Sequence, residues 1–303
     1  MTAAPDVIAV GETMLSLIAV GVPFAEATRL VVSEGGAESN TCVGLVRLGL
    51  RAVWVSRLGT DPSGDRVHAG LTAAGLDLAH VRRDPQRPTG VMLRETSGAP
   101  ARYHRAGSAA SAIGPEDLDD LPVAEARAVL VTGITAMLGE GPRLAATALL
   151  DRARGLRVVD PNLRPGLWGS DRAAELVLPL IERCDLVLGG EAELSTLVGG
   201  TGRELAERCR ALGPQEIVLK RGADGASALG PGGWLDHPSR RVPDVDPVGA
   251  GDAFNAGYLA ARLRGRSVAE ALELGSRCGA GVAAAVGDTA GFPTRSEIEG
   301  RST

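Results

Sequence analysis

Residues 246–265 read DPVGAGDAFNAGYLAARLRG: a run of small residues, an aspartate, then an Ala- and Leu-rich segment with helical spacing through Arg264. Small side chains at Gly249, Ala250 and Gly251 let consecutive backbone N–H groups turn inward unobstructed. A helix that starts here adds its own unpaired N–H groups and the positive end of its dipole, so the turn suits an anion. Asp252 falls in the first helical turn, where aspartate also serves as an ordinary cap. A carboxylate beside such a turn is the layout that phosphoryl transfer needs. The N–H groups hold charge on the phosphoryl oxygens, and the carboxylate takes the proton of the attacking hydroxyl. The chain has no GxxxxGK[ST] loop and no protein-kinase set of Gly-rich loop, HRD and DFG. If phosphoryl transfer is the chemistry, the GAGD turn carries it alone.

Around that stretch, short apolar runs alternate with amphipathic segments. VIAVG (7–11), AVWVSRLG (52–59), AVLVTG (128–133), LRVVD (156–160), DLVLGG (185–190) and EIVLKRG (216–222) read as buried strands. Helical patterns cover 62–75, 141–154, 171–183, 191–198, 202–212, 250–263 and 267–286. Continuous rather than alternating apolar strands between helices predict a mostly parallel sheet covered on both faces. Segments 12–34 and 88–106 are polar at alternate positions and read as a small antiparallel layer outside the main sheet, a lid on one α/β domain spanning 1–303. GETML (11–15) follows the first strand where a dinucleotide-binding fold would carry GxGxxG, so a Rossmann dehydrogenase is excluded.

Composition narrows the classes further. The 303 residues carry a formal net charge of -5, with 44% hydrophobic, 23% charged and 3% aromatic residues. That suits a globular α/β protein with an aliphatic core. No basic run marks a nucleic-acid footprint. No apolar stretch approaches the ~20 residues of a bilayer span, and the N-terminus lacks a basic signal-peptide region. Cys42, Cys184, Cys209 and Cys278 are far apart, with no CxxC, and read as buried free thiols in a reducing cytoplasm. Lys220 is the only lysine among 32 basic residues.

DPVGAGDAFNAGYL resembles the C-terminal signature of the ribokinase-like (PfkB) carbohydrate kinases, usually D-T-x-G-A-G-D. GGAESNTCVGLVRLGLRAVWVSRLGTDPSGDRV (35–67) matches the other signature, GG-x-x-x-N, LG and G-x-D-x-x-G, in order and spacing. With β/α alternation throughout, the resemblance covers nearly the whole chain. It implies a three-layer α/β/α sandwich with a mostly parallel central sheet and a small antiparallel β lid. It also implies Asp252 as catalytic base and Gly249, Ala250 and Gly251 as an anion hole that also meets the nucleotide phosphates. Pro247 departs from the usual Thr and removes one N–H. Gly35, Gly36 and Asn40 resemble the substrate contacts of the first signature. Ribokinases and adenosine kinases often carry Asp where this chain has Ala37, and the GGAE-x-N form looks like 2-keto-3-deoxygluconate kinases and some fructokinases.

Two further segments bear on the substrate. ARYHRAGSAAS (101–111) resembles the Y-x-R-x-x-S-A-A-S segment of 2-keto-3-deoxygluconate kinases, which implies that Tyr103 and Arg105 face the substrate. A guanidinium fork matches the carboxylate that distinguishes that sugar from fructose or ribose. VVDPNLRPGLW (158–168) resembles the D-x-N-x-R pattern of ketodeoxygluconate kinases and fructokinases. There Arg164 would reach the acid substrate or the transferring phosphate, with Asp160 and Asn162 ordering the loop. Lys220, Gly222 and Gly225 resemble the K-x-G-x-x-G nucleotide loop. The Asn-x-x-Glu element tied to Mg²⁺ maps onto Gly190 to Glu193, with its Asn replaced; Glu193 would orient a hydrated Mg²⁺, and Glu191 competes for that role. Asp288 is left without a place, near the nucleotide or a monovalent-ion region. The expectation is an ATP- and Mg²⁺-dependent kinase of 2-keto-3-deoxygluconate, with a monovalent cation as a further candidate cofactor and a homo-oligomer paired through the lid. The alternatives are the same chemistry on fructose or ribose, and a non-catalytic sugar- or nucleotide-binding regulator.

Overall fold

Valine, leucine and isoleucine in unbroken runs produce strands buried on both faces, and they set the central layer. The structure is a computed structural model describing residues 4–97, 99–164, 169–240, 242–243 and 245–299. In chain order its strands are β1 (Val7–Val10), β2 (Met14–Ala19), β3 (Val31–Gly35), β4 (Ala52–Gly59), β5 (Val81–Asp84), β6 (Val91–Glu95), β7 (Arg102–His104), β8 (Ala128–Thr132), β9 (Leu156–Asp160), β10 (Leu186–Gly190), β11 (Glu216–Lys220), β12 (Ala226–Gly230) and β13 (Gly233–His237). Its helices are α1 (Ala37–Arg47), α2 (Pro62–Ala73), α3 (Gly133–Ala136), α4 (Glu140–Arg152), α5 (Ser170–Ile181), α6 (Glu191–Val198), α7 (Gly202–Arg210), α8 (Ala250–Leu263), α9 (Val268–Ala283) and α10 (Arg295–Glu299).

The main sheet runs β13-β12-β11-β10-β9-β8-β1-β4-β5 and is parallel from β5 through β11. Successive residues of each strand point to opposite faces. Val7 and Ala9 therefore join one core with α1, α8 and α9, while Ile8 and Val10 join another with α4, α5 and α7. The result is a three-layer α/β/α sandwich. The catalytically interesting residues sit where open parallel sheets bind ligands, beyond the carboxyl ends of the strands.

The second sheet, ordered β3-β2-β6-β7, is the lid expected from 12–34 and 88–106. Its outer pairings are antiparallel, while its central pair, β2 with β6, is parallel. That direction follows from topology: the chain leaves β2, adds β4 and α2 to the main layer, and returns to the lid travelling the same way.

Six elements were not visible in the hydrophobic pattern: α1, α3, α10, β5, β12 and β13. α1 lacks an amphipathic signature because residues 37–45 are buried on all sides, Glu38, Ser39, Asn40 and Thr41 included. The β12–β13 hairpin extends the sheet antiparallel with an Ala- and Gly-rich strand that carries no β-branched signal. Among the described residues no helix is long and apolar enough to cross a membrane.

Candidate active site

A cavity of about 420 Å³ lies between the lid and the C-terminal edge of the main sheet. Gly35, Gly36, Asn40, Tyr103, Arg105, Arg164, Glu193, Lys220, Gly249, Gly251, Asp252 and Asp288 all line it. Residues separated by more than 200 positions therefore meet in one place. Gly222, Gly225 and Ala250 do not line it. The two glycines serve a reversal of the chain. Both have positive φ (55° and 92°) in the turn that reverses the chain from β11 into β12, and a Cβ at Gly225 would overlap the His237 carbonyl oxygen.

The turn opens a helix as expected, but Ala250 departs from the expected set of donors. Gly249 is the N-cap of α8 with φ 86°, a left-handed conformation that glycine adopts without strain. A Cβ there would also overlap the Asp288 carbonyl oxygen, so two independent constraints demand glycine. The Ala250 N–H is taken up by the Pro247 carbonyl at 3.1 Å, a bond closing the turn. The inward-facing donors are thus those of Gly249 and Gly251, for which no partner is found among the described residues.

Asp252 is buried at the start of α8. Asn40 Nδ2 donates to its Oδ2 at 2.8 Å, and Asn162 Nδ2 lies 3.4 Å from its Oδ1. Burial pushes Asp252 up to about 7, against the Asn40 hydrogen bond and the Arg164 charge, which pull it down. A carboxylate poised near neutrality is a competent general base. The loop that brings Asn162 there is strained. Asn162 has φ 42°, the one positive value outside glycine among the described residues, and its N–H donates to Asp160 Oδ1 at 2.9 Å. Asp160 accepts in turn from Lys220 at 2.8 Å and from Asn255 at 2.6 Å, so Lys220 is held beside the base by an ion pair. The remainder of the 158–168 motif, residues 165–168, lies outside the described residues.

Arg105 pairs with Glu12 at 2.7 Å, and its guanidinium lies 5.9 Å from the Tyr103 ring centre. Glu12, which sequence reasoning passed over, also accepts from Ser108 at 2.6 Å, and burial raises its pKa. The other Arg105 nitrogens, Nε and Nη1, are buried with no partner among the described residues. Buried donors left unpaired cost free energy until something accepts from them. Glu38 was also missed. It lines the cavity, accepts from Thr132 and Thr135 at 2.6 and 2.7 Å, and is raised by burial to about 7. Only its place in the GGAE-x-N sequence hinted at it.

Glu193 and Glu191 are separated by their surroundings. Glu191 is occupied, accepting the Gly202 N–H at 2.5 Å outside the cavity. Glu193 lines the cavity with a buried Oε2 that has no partner among the described residues. Burial first, then the charge of Asp160, raise its pKa. An orphaned carboxylate oxygen fits a hydrated divalent ion, which needs only one or two protein carboxylates. Among the described residues no three His, Cys, Asp or Glu side chains cluster to hold a metal directly. Asp288 finds its place here: it lines the cavity, and Arg94 reaches its Oδ1 at 2.6 Å.

A buried carboxylate, a small-residue turn with two N–H groups unpartnered among the described residues, and converging cations under a lid suit a small-molecule phosphotransferase. Residues 4–295 match the family described as pfkB family carbohydrate kinase, and the chain belongs to that family. It is 32% identical over 95% of its length to a 2-dehydro-3-deoxygluconokinase from Thermoproteus tenax, covering 94% of that protein. The solved structure of a PfkB protein from Polaromonas sp. JS666 shares 37% identity and a TM-score of 0.86, covering 98% of this chain and 99% of that one. A fructokinase from Vibrio cholerae O395, solved with fructose, ADP and calcium, shares the fold at TM-score 0.87 and 23% identity, over 97% of this chain and 98% of that one.

The pKa of Asp252 leads to a pH dependence with a defined sign. The basic form is populated above a pKa of about 7 and lost as pH falls through it, so kcat/KM should show an acid limb near that value. Asn40→Ala removes a contact that favours the carboxylate. The limb should then move upward by about one to two units, the equivalent of one charge-assisted hydrogen bond. A pH–rate profile of both proteins checks this, and an unmoved limb would show that Asn40 does not hold the base.

Proposed function

We propose that the protein uses ATP to phosphorylate the terminal C6 hydroxyl of 2-keto-3-deoxygluconate, giving 2-keto-3-deoxy-6-phosphogluconate. The observation that carries this reading is Arg105, which lines the cavity that holds Asp252 and whose Nε and Nη1 are buried with no partner among the described residues. A sugar carboxylate would accept from Nη1, the end of the guanidinium that the Glu12 contact at Nη2 leaves open. Arg164 lines the same cavity and adds a second positive charge. The similarity to the Thermoproteus tenax enzyme supports the same substrate class.

In the proposed step an Asp252 oxygen accepts the C6 hydroxyl proton as the sugar oxygen attacks the γ-phosphorus. The new O–P bond forms while the bond to the bridging oxygen of ADP breaks, and that oxygen leaves with its electron pair. Asn40 holds Oδ2 of Asp252, and Oδ1, which has only the longer Asn162 contact at 3.4 Å, is the oxygen that takes the proton. Negative charge on the equatorial phosphoryl oxygens meets the Gly249 and Gly251 N–H groups, with Lys220 and Arg164 nearby. Mg²⁺ bound with the nucleotide would neutralise phosphate charge, and Glu193 is the residue that would orient its water shell. Gly35 and Gly36 leave room for the sugar beside Asn40, and Tyr103 walls it from the lid. Residues from both sheets contribute, so the whole chain acts as one catalytic unit.

A second reading, a neutral ketose, is favoured by one contact: Glu12 already balances part of the Arg105 charge. The two readings separate in Arg105→Met. Under the acid-sugar reading KM for 2-keto-3-deoxygluconate rises ~10- to 100-fold, as loss of charge-assisted bonds requires, while KM for fructose barely changes. Equal effects on both sugars would favour the neutral substrate. Asp252→Asn should lower kcat by ~10²- to 10⁴-fold with ATP binding, measured by calorimetry, retained. Undiminished turnover would remove Asp252 as the base.

We also infer that two copies pair through the lid and that the protein works in the cytoplasm, where its four buried free thiols stay reduced. Strand β3 is an open sheet edge, and Val20, Val22, Val31 and Val32 are exposed on the lid. Such an edge invites pairing with a like strand. Sedimentation should give a dimer that Val32→Glu converts to monomer; a wild-type monomer would contradict the inference.

A further inference from the structure

Arg94 belongs to lid strand β6, yet its guanidinium leaves the lid sheet and is buried against the loops of the main layer, 3% exposed. Its Nη1 contacts both carboxylate oxygens of Asp246 at 2.7 and 2.8 Å, and Nη2 contacts Asp288 Oδ1 at 2.6 Å. Nε reaches Ser16 Oγ on β2 at 3.3 Å. Arg94 does not line the cavity and touches none of the space where substrates would sit.

The two acids it joins are the supports of the anion turn. Asp246 starts that turn, and its Oδ2 accepts the Gly287 N–H at 2.9 Å while Oδ1 lies 3.4 Å from the Val248 nitrogen. Asp288 packs its main-chain carbonyl against Gly249, on the face where a Cβ would overlap it. Asn40, the residue that holds Asp252, also favours the charged form of the Asp288 carboxylate against the burial that raises its pKa. One planar fork thus reaches both walls of the turn and, through Asp288 and Asn40, the base. A point charge on a flexible stem would not reproduce that two-sided grip.

We propose that Arg94 is a positioning residue that fixes the anion turn and the Asn40–Asp252 pair from the lid, making the geometry of the phosphoryl site depend on the seating of β6. The proposal rests on the phosphoryl-transfer reading above. It also means that the lid is pinned to the main layer at β6.

Arg94→Lys keeps the charge and removes the fork. The expected result is a kcat lowered ~10- to 100-fold, the cost of a small misplacement of reacting groups, with the sugar and ATP KM values little changed. Amide hydrogen exchange should accelerate at Val248 and Gly287 while the amides of β1 and β8 keep their wild-type rates. Asp246→Asn, which keeps the side-chain shape, should give the same kcat-selective loss and the same local exchange, and it decides the matter should Arg94→Lys not fold. Wild-type kcat with unchanged exchange at those two amides would overturn the proposal. So would exchange accelerated uniformly through the core, which marks a merely structural ion pair. If the wild-type protein turns over no sugar at all, the kinase reading fails, while the exchange measurement still decides whether Arg94 holds the turn.

Discussion

The site depends on keeping a carboxylate dry without silencing it. Burial favours the neutral acid and would leave Asp252 unable to take a proton. The fold offsets that tendency with the Asn40 hydrogen bond, the neighbouring Arg164 charge and the start of helix α8, and the balance lies near neutrality. Each of these comes from a different part of the chain. Asn40 is on α1, Arg164 follows β9, and Asp252 opens α8, so the carboxylate is tuned only when the sheet has brought all three loops together.

That assembly explains the use of a lid. Charge interactions strengthen as water is excluded, and the anion turn gains most from a covered cavity. Here the cover is attached through charge as well as apolar packing. Arg94 meets Asp246 and Asp288, and Arg105 meets Glu12, which follows β1. Buried ion pairs contribute little net stability but are specific in geometry. The lid therefore sits in one register over the turn, where an apolar seam would tolerate sliding.

Much of this was legible in the sequence where side-chain pattern and chemistry coincide. The six Val- and Leu-rich runs are strands β1, β4, β8, β9, β10 and β11 within a residue or two, because strands buried on both faces are built mostly of apolar residues. The GAGD turn was readable since its small residues serve backbone geometry directly. What escaped had no local signal. Glu12 and Glu38 are single acids whose burial arises from contacts made at long range. Helix α1 hides its period because polar residues on it face the site and not water. Nothing in the sequence around Arg94 singles it out, and only the fold brings Asp246 and Asp288 to it. Gly222 and Gly225 were readable from the motif, and their positive φ values turn the chain from β11 into β12.

The most direct test of the account is a coupled ADP-release assay of the wild-type protein with ATP and Mg²⁺, comparing 2-keto-3-deoxygluconate, fructose and ribose at equal concentrations. A kcat/KM that favours the keto acid by a large factor is the result expected from two arginines facing one cavity. Preference for a neutral sugar would contradict the carboxylate assignment of Arg105 while leaving the turn and its base in place. Failure to phosphorylate any of the three would contradict the account as a whole.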